Sequence, residues 1–197
     1  MNTSFAKAET LTSAALAPLD WARGVALVVA FSLLTALAAQ VAIPLPWTPV
    51  PITGQTFAVL LAGALLGSRL GALAMLAYLI EGASGLPFFA AGGNGLARLL
   101  FSPTSGYLLS YPAAAFVTGL LAERGWDRRF ATAAAAMTIG SCVILLSGWA
   151  WLARFSSPAS AWTLGVAPFL VGDVVKIALA AAVLPSGWAL FKRKSAR

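Results

Sequence analysis

Two charged residues, Asp173 and Lys176, stand inside the otherwise apolar run GVAPFLVGDVVKIALAAAVL. A charge at the centre of a membrane helix costs roughly 2.5–3.5 kcal/mol even on insertion-derived scales. Such a cost is rarely sustained twice without a task. The i,i+3 spacing sets both groups on one helix face, where they pair with each other or jointly grip a polar ligand. That face must point into a bundle. An ion pair that merely tolerates burial is the plain alternative.

A second set lies in GGNGLAR, which holds Asn94 and Arg98. The guanidinium fork of arginine matches a carboxylate, and glycines let backbone come close to a ligand. A solvated Arg98 and a turn-capping Asn94 are the structural alternatives. Trp47, within a proline-rich loop, and Gln55, at the start of the next helix, can cap a cavity; an interfacial anchor and a helix-end residue are their plain alternatives. Glu81 is expected to hydrogen-bond loop amides. Tyr107 and Tyr111 open a helix where interfacial aromatics are common.

The elements that must position these residues are membrane helices. Of 197 residues 60% are apolar and 10% charged, where a soluble domain carries about 25% charged. Mean hydropathy is +0.87. No soluble core of this length hides that much apolar surface. The first apolar run, 24–42, is about nineteen residues, enough to cross a hydrocarbon core. It is read as a retained helix rather than a cleaved leader. Further helices are predicted over 54–66, 70–81, 106–121, 130–152 and 164–190, with a tight turn at 67–69. The result is an all-α bundle of about six transmembrane helices, with a polar arm (1–22), a membrane domain (23–191) and a basic tail (192–197).

Pro44, Pro46, Pro49 and Pro51 rule out regular helix between the first two spans. The connection over 82–106 is the longest irregular one, and long ordered loops usually carry function. With both termini cytoplasmic, the inner face holds Lys7, Arg23, Arg69, Arg124, Arg128, Arg129, Lys192, Arg193, Lys194 and Arg197, against Arg98 and Arg154 outside. This agrees with the positive-inside rule. It puts the proline-rich and glycine-rich loops on the same outer face.

The net charge of +7 therefore belongs to membrane loops, not to nucleic-acid binding. Cys142 is the one cysteine and histidine is absent, which leaves no disulfide framework, His-based catalysis or evident metal site. No P-loop, Ser/His pair or H-E-x-x-H is present. An intramembrane enzyme using Asp173 and Lys176 as an acid–base pair lacks a nucleophile or metal. A self-sufficient secondary transporter would show repeats or matched broken helices, and none is seen. Ala22, Ala26 and Ala30 form a small-xxx-small stripe that permits close helix approach.

The run IPLPWTPVPITGQTFAVLLAGALLGSRLGALAMLAYLIEGASGLPFFA resembles the opening half of the BioY family, the biotin-binding S-components of energy-coupling-factor transporters. FSPTSGYLLSYPAAAFVTGLLAER resembles that family's G-P-T-G-G-Y segment, with Ser102 and Ser105 in place of glycines. GDVVK resembles its G-D-x-x-K signature. The likeness covers residues 24–190. It implies a six-helix S-component in the bacterial cell membrane, with an outward-facing biotin pocket under the two loops. Asp173 would accept a ureido N–H of biotin and Lys176 would donate to the ureido carbonyl. Arg98 would meet the valerate carboxylate and Asn94 would add a polar contact. Trp47, Phe57 and Tyr107 would wall the rings. It implies no cofactor. Its partners would be a transmembrane coupling subunit docked on the Ala22/Ala26/Ala30 stripe and two ATPases, although some members are proposed to work alone. Another small carboxylate-bearing vitamin is the alternative ligand.

Overall fold

The computed structural model describes residues 10–16 and 20–195, with side chains through Phe191. A short helix α1 (Leu11–Leu16) precedes α2 (Trp21–Gln40). Asp20 accepts the Arg23 amide at 2.8 Å and so starts α2 three residues before the apolar run. A two-residue antiparallel ladder of β1 (Ala42–Ile43) and β2 (Ile52–Thr53) pairs Ala42 with Thr53 and Ile43 with Ile52. The four prolines occupy the loop that this ladder closes.

Helices α3 (Gln55–Leu66) and α4 (Ser68–Ala83) follow, then α5 (Leu96–Phe101) and α6 (Ser105–Glu123). A 3₁₀ turn at Trp126–Arg128 leads to α7 (Phe130–Leu152), α8 (Pro158–Gly165) and α9 (Ala167–Ser195). Four stretches are long and apolar enough to cross a membrane: Trp21–Gln40, Ser105–Glu123, Phe130–Leu152 and Pro158–Phe191. With 12 and 16 residues, α3 and α4 are shorter than the roughly 20 residues of a straight crossing.

Helix α6 is central and packs on α3, α4 and α7; α2 covers α4, and α9 covers α7. Small residues set these contacts. A Cβ at Gly63 would lie 2.3 Å from the Ala115 carbonyl oxygen, and one at Gly106 would lie 2.2 Å from the Trp151 Cβ. Outward faces stay apolar: Leu33, Leu37, Val171, Val174 and Val183 are all exposed. Such surfaces fit lipid and would be costly in water.

Several expectations change. The turn at 67–69 shrinks to Gly67, whose φ of +86° lets α3 end and α4 begin at once. Glu123 then caps α4 by accepting the Ser68 amide at 2.7 Å and its hydroxyl at 2.9 Å. Within 82–106 the chain is not wholly irregular, because α5 and a 3₁₀ turn (Ala90–Gly92) form there. The single run over 164–190 is divided at Val166 into α8 and α9. Residues 11–16 of the expected arm are helical, and the start of this segment touches the bundle. Leu11 lies against Gly187 of α9, and Thr10 against Gly67. Residues 1–9 and 17–19 of the arm, Arg197, and the side chains of Lys192, Arg193 and Lys194 lie outside what is described.

Candidate ligand-binding site

The break at Val166 aims the charged face of α9. Two carbonyls at the end of α8 are held: Tyr107 donates to Gly165 O at 2.7 Å, and Thr48 of the proline loop donates to Leu164 O at 2.7 Å. Helix α9 restarts at Ala167 and brings Asp173 inside, 7% exposed. Asp173 Oδ1 and Lys176 Nζ are 3.7 Å apart, too long for a strong direct hydrogen bond. Each group finds a partner on another helix instead. Ser141 of α7 donates to Asp173 Oδ2, and Lys176 donates to Thr56 Oγ1 of α3 at 2.8 Å. The pair is thus braced by two neighbouring helices. Unused lone pairs and ammonium hydrogens remain on a cavity wall.

The two loops roof this wall. Gln55, buried in the first turn of α3, donates to the Tyr78 hydroxyl. Tyr78 in turn donates to Phe88 O of the second loop at 3.0 Å. Gln40 at the end of α2 ties the same loop down. Its amide nitrogen donates to Pro87 O at 3.2 Å, and its amide oxygen accepts the Gly92 N–H at 3.0 Å. Phe89 is buried against Gly82, where a Cβ would lie 2.4 Å from its ring. Arg98 of α5 lies across Gly93, with Nη2 at 3.5 Å from Ala90 O.

One cavity joins these features. Asp173, Lys176, Gln55 and Thr56 form a polar side; Arg98 reaches it from an exposed position at the mouth. Val50, Phe89, Ile144, Leu145 and Phe169 supply apolar wall, together with Tyr107 and Tyr111. Apolar walls with a few convergent polar groups are the usual form of a small-molecule site. Among the described residues, no three His, Cys, Asp or Glu side chains gather as a metal site.

The structure therefore brings Asp173, Lys176, Arg98, Gln55 and Tyr107 together and leaves three expected residues out. Trp47 is 62% exposed at the tip of the proline loop and does not line the cavity. A turn over Pro46 and Trp47, closed by the Thr48 amide donating to Leu45 O at 3.3 Å, carries the indole outward, and the buried anchors of the loop are Thr48 and Val50 instead. Phe57 of α3 is partly buried and packs against the helix core instead, because it follows the cavity residue Thr56 by about 100° of helix rotation. Asn94 is exposed and reaches only Gly92 O, at 3.5 Å, a loop contact. Glu81 accepts from Ser32 of α2 rather than from loop amides. Ala22, Ala26 and Ala30 are all exposed on α2. Sequence reasoning missed Thr56, Tyr78, Phe89 and Ser141. For Ser141 and Tyr78 the available signal was a polar group in the middle of an apolar helix.

This fold and site define a helical membrane protein with a cavity under two loops. The chain belongs to the BioY family, whose model matches residues 6–193. It is 44% identical over 159 residues to the "Probable biotin transporter BioY" of Pyrococcus horikoshii, covering 81% of this chain and 92% of that one. It is 42% identical over 176 residues to the "Biotin transporter BioY" of Rhodobacter capsulatus, covering 82% and 90%. The fold matches the crystal structure of an S-component for biotin from an ECF-type ABC transporter. The TM-score is 0.75 at 22% identity, covering 84% of this chain and 90% of that one.

Proposed function

We propose that this chain is the biotin-binding membrane subunit of a biotin uptake system, and not an enzyme. One observation carries the reading: Asp173, Lys176 and Arg98 converge on a single apolar-walled cavity within a membrane bundle. Biotin is complementary to that arrangement. Its cyclic urea offers two N–H donors and one carbonyl acceptor, its thioether ring is apolar, and its valerate ends in a carboxylate. The free lone pairs of Asp173 take a ureido N–H. Lys176 donates to the ureido carbonyl while balancing Asp173. Arg98, at the mouth, meets the carboxylate as a charge-assisted pair. The bicyclic ring packs on Phe89, Phe169 and Tyr107. Trp47 and Asn94 stand away from the cavity and are assigned no ligand contact.

In this reading the bundle crosses the cell membrane about six times, with both termini cytoplasmic. The shorter α3 and α4 cross where neighbouring helices accommodate the mismatch. A coupling subunit docks on the exposed Ala22/Ala26/Ala30 stripe of α2 and carries two ATPases. The stripe suits close helix approach.

Calorimetric titration of biotin into the detergent-solubilised protein tests the assignment. Saturable binding by the native chain, weakened at least a hundredfold in Asp173→Asn, is the expected result. Binding that is unaffected by the substitution would place the ligand elsewhere. Absence of binding to protein shown to be folded would overturn the ligand.

A further inference from the structure

The chain has three tyrosines, and two have their hydroxyls committed. Tyr107 donates to Gly165 O at 2.7 Å, and Tyr78 links Gln55 to Phe88 O. Tyr111 differs. It is 3% exposed and lines the cavity that holds Asp173 and Lys176. Among the described residues its hydroxyl bonds to no protein group, and it is not sealed into the core. Its ring is fixed by stacking on Tyr78, with centroids 6.2 Å apart and planes 29° from parallel. A phenol that opens on a cavity with no protein partner keeps its donor for whatever enters that cavity. Pro112 follows it directly inside α6. Proline cannot donate to the Leu108 carbonyl one turn back, which loosens the helix at this point.

We infer that the Tyr111 hydroxyl is a ligand-binding group, donating to the carbonyl oxygen of the ligand's cyclic urea beside Lys176. This rests on the biotin reading above and adds a contact to it. A carbonyl oxygen accepts two hydrogen bonds. Two donors from different helices, α6 and α9, would read it from two directions. The arrangement selects for a urea oxygen over a weaker acceptor at the same position.

Tyr111→Phe keeps the ring and its stacking and removes only the donor. Biotin, biotin amide and 2-thiobiotin are titrated into native protein and variant, and the melting temperature of each free protein is recorded. The expected result is a loss of about tenfold for biotin and for the amide alike, one neutral hydrogen bond's worth. The preference for biotin over its thio analogue should shrink in the variant, with the free protein melting unchanged. Equal affinity in variant and native protein would overturn the assignment, as would a loss for biotin that spares the amide. Native protein that binds no biotin would remove the underlying reading and this contact with it. Native binding with an indifferent variant removes the contact alone. Difference Raman spectroscopy of the native protein makes the test independent of the variant's folding. Biotin should shift one tyrosine toward a strong-donor state, and an unchanged tyrosine doublet would overturn the proposal.

Discussion

Lys176 of α9 donates to the Thr56 hydroxyl of α3 across 2.8 Å. That bond fastens the charged face of the last helix to the first turn after the proline loop. Its carboxylate neighbour Asp173 is farther away, at 3.7 Å. The ammonium is therefore oriented mainly by α3. Thr56→Val keeps the shape and removes the acceptor. Hydrogen bonds to charged groups contribute about 1.5–3 kcal/mol, so biotin affinity should fall roughly tenfold or more, while Thr56→Ser restores it. Titration of both variants decides. Unaltered affinity in the valine variant would show that ligand contact does not depend on how Lys176 is held.

Ser141 is 4% exposed and donates to the second oxygen of Asp173. Ser141→Ala strips a buried carboxylate of a donor, an unsatisfied acceptor costing about 1–3 kcal/mol. Thermal unfolding of the free protein in detergent should report a lower melting temperature. Biotin titration should report a weaker site, and Ser141→Thr should recover both. A variant as stable and as tight as the native protein would mean that Asp173 is held by its own helix alone.

Gly93 seats Arg98. A Cβ at this position would lie 2.4 Å from Nε and 2.7 Å from Cζ of that side chain. Those are the far atoms of a flexible arginine, so the side chain moves and the fold tolerates the change. Gly93→Ala should leave the melting temperature within the usual surface range of about ±0.5 kcal/mol. Biotin affinity should still drop, because Arg98 leaves the mouth. Biotin amide, which lacks the carboxylate charge, should bind native and variant protein alike. An equal loss for both ligands would place Arg98 away from the carboxylate end.

Asp127 lies at the opposite end of the bundle, in the connector between α6 and α7, and is 1% exposed. It accepts from the Trp188 indole N–H at 2.5 Å, and Arg128 stacks over that indole at 4.7 Å. Burial pushes the Asp127 carboxyl above its usual range; the Trp188 hydrogen bond and the Arg128 charge oppose this only in part. The folded state then binds more protons than the unfolded one between the two pKa values, so this group lowers stability as pH rises through that window. Asp127→Asn keeps an acceptor for Trp188 and does not titrate. Melting temperatures measured from about pH 4 to pH 7 should show a smaller decline, or a larger rise, with pH in the variant. Parallel native and variant curves would refute the assignment.

Much of this architecture was legible from composition and punctuation. Apolar runs longer than a bilayer is thick require helices, because lipid offers no partner to a bare peptide group. Four prolines forbid helix over 44–51 whatever the neighbours are. Two charges at i,i+3 in an apolar run must face inward, and they do: Asp173 and Lys176 meet Arg98, Gln55 and Tyr107 at one cavity.

What only the tertiary structure decided was direction. In helices that are apolar on all sides, sequence period does not separate the core face from the lipid face. Nothing in the text marked Thr56 as inward and Phe57 as core-facing, or singled out Ser141 within α7. Trp47 and Asn94 looked like ligand residues by chemistry, and their loops turn them outward. The break at Val166 is held by Tyr107 and Thr48, 59 and 118 residues earlier in the chain. Such long-range hydrogen bonds leave no local trace, and they are what turn a run of membrane helices into a binding site.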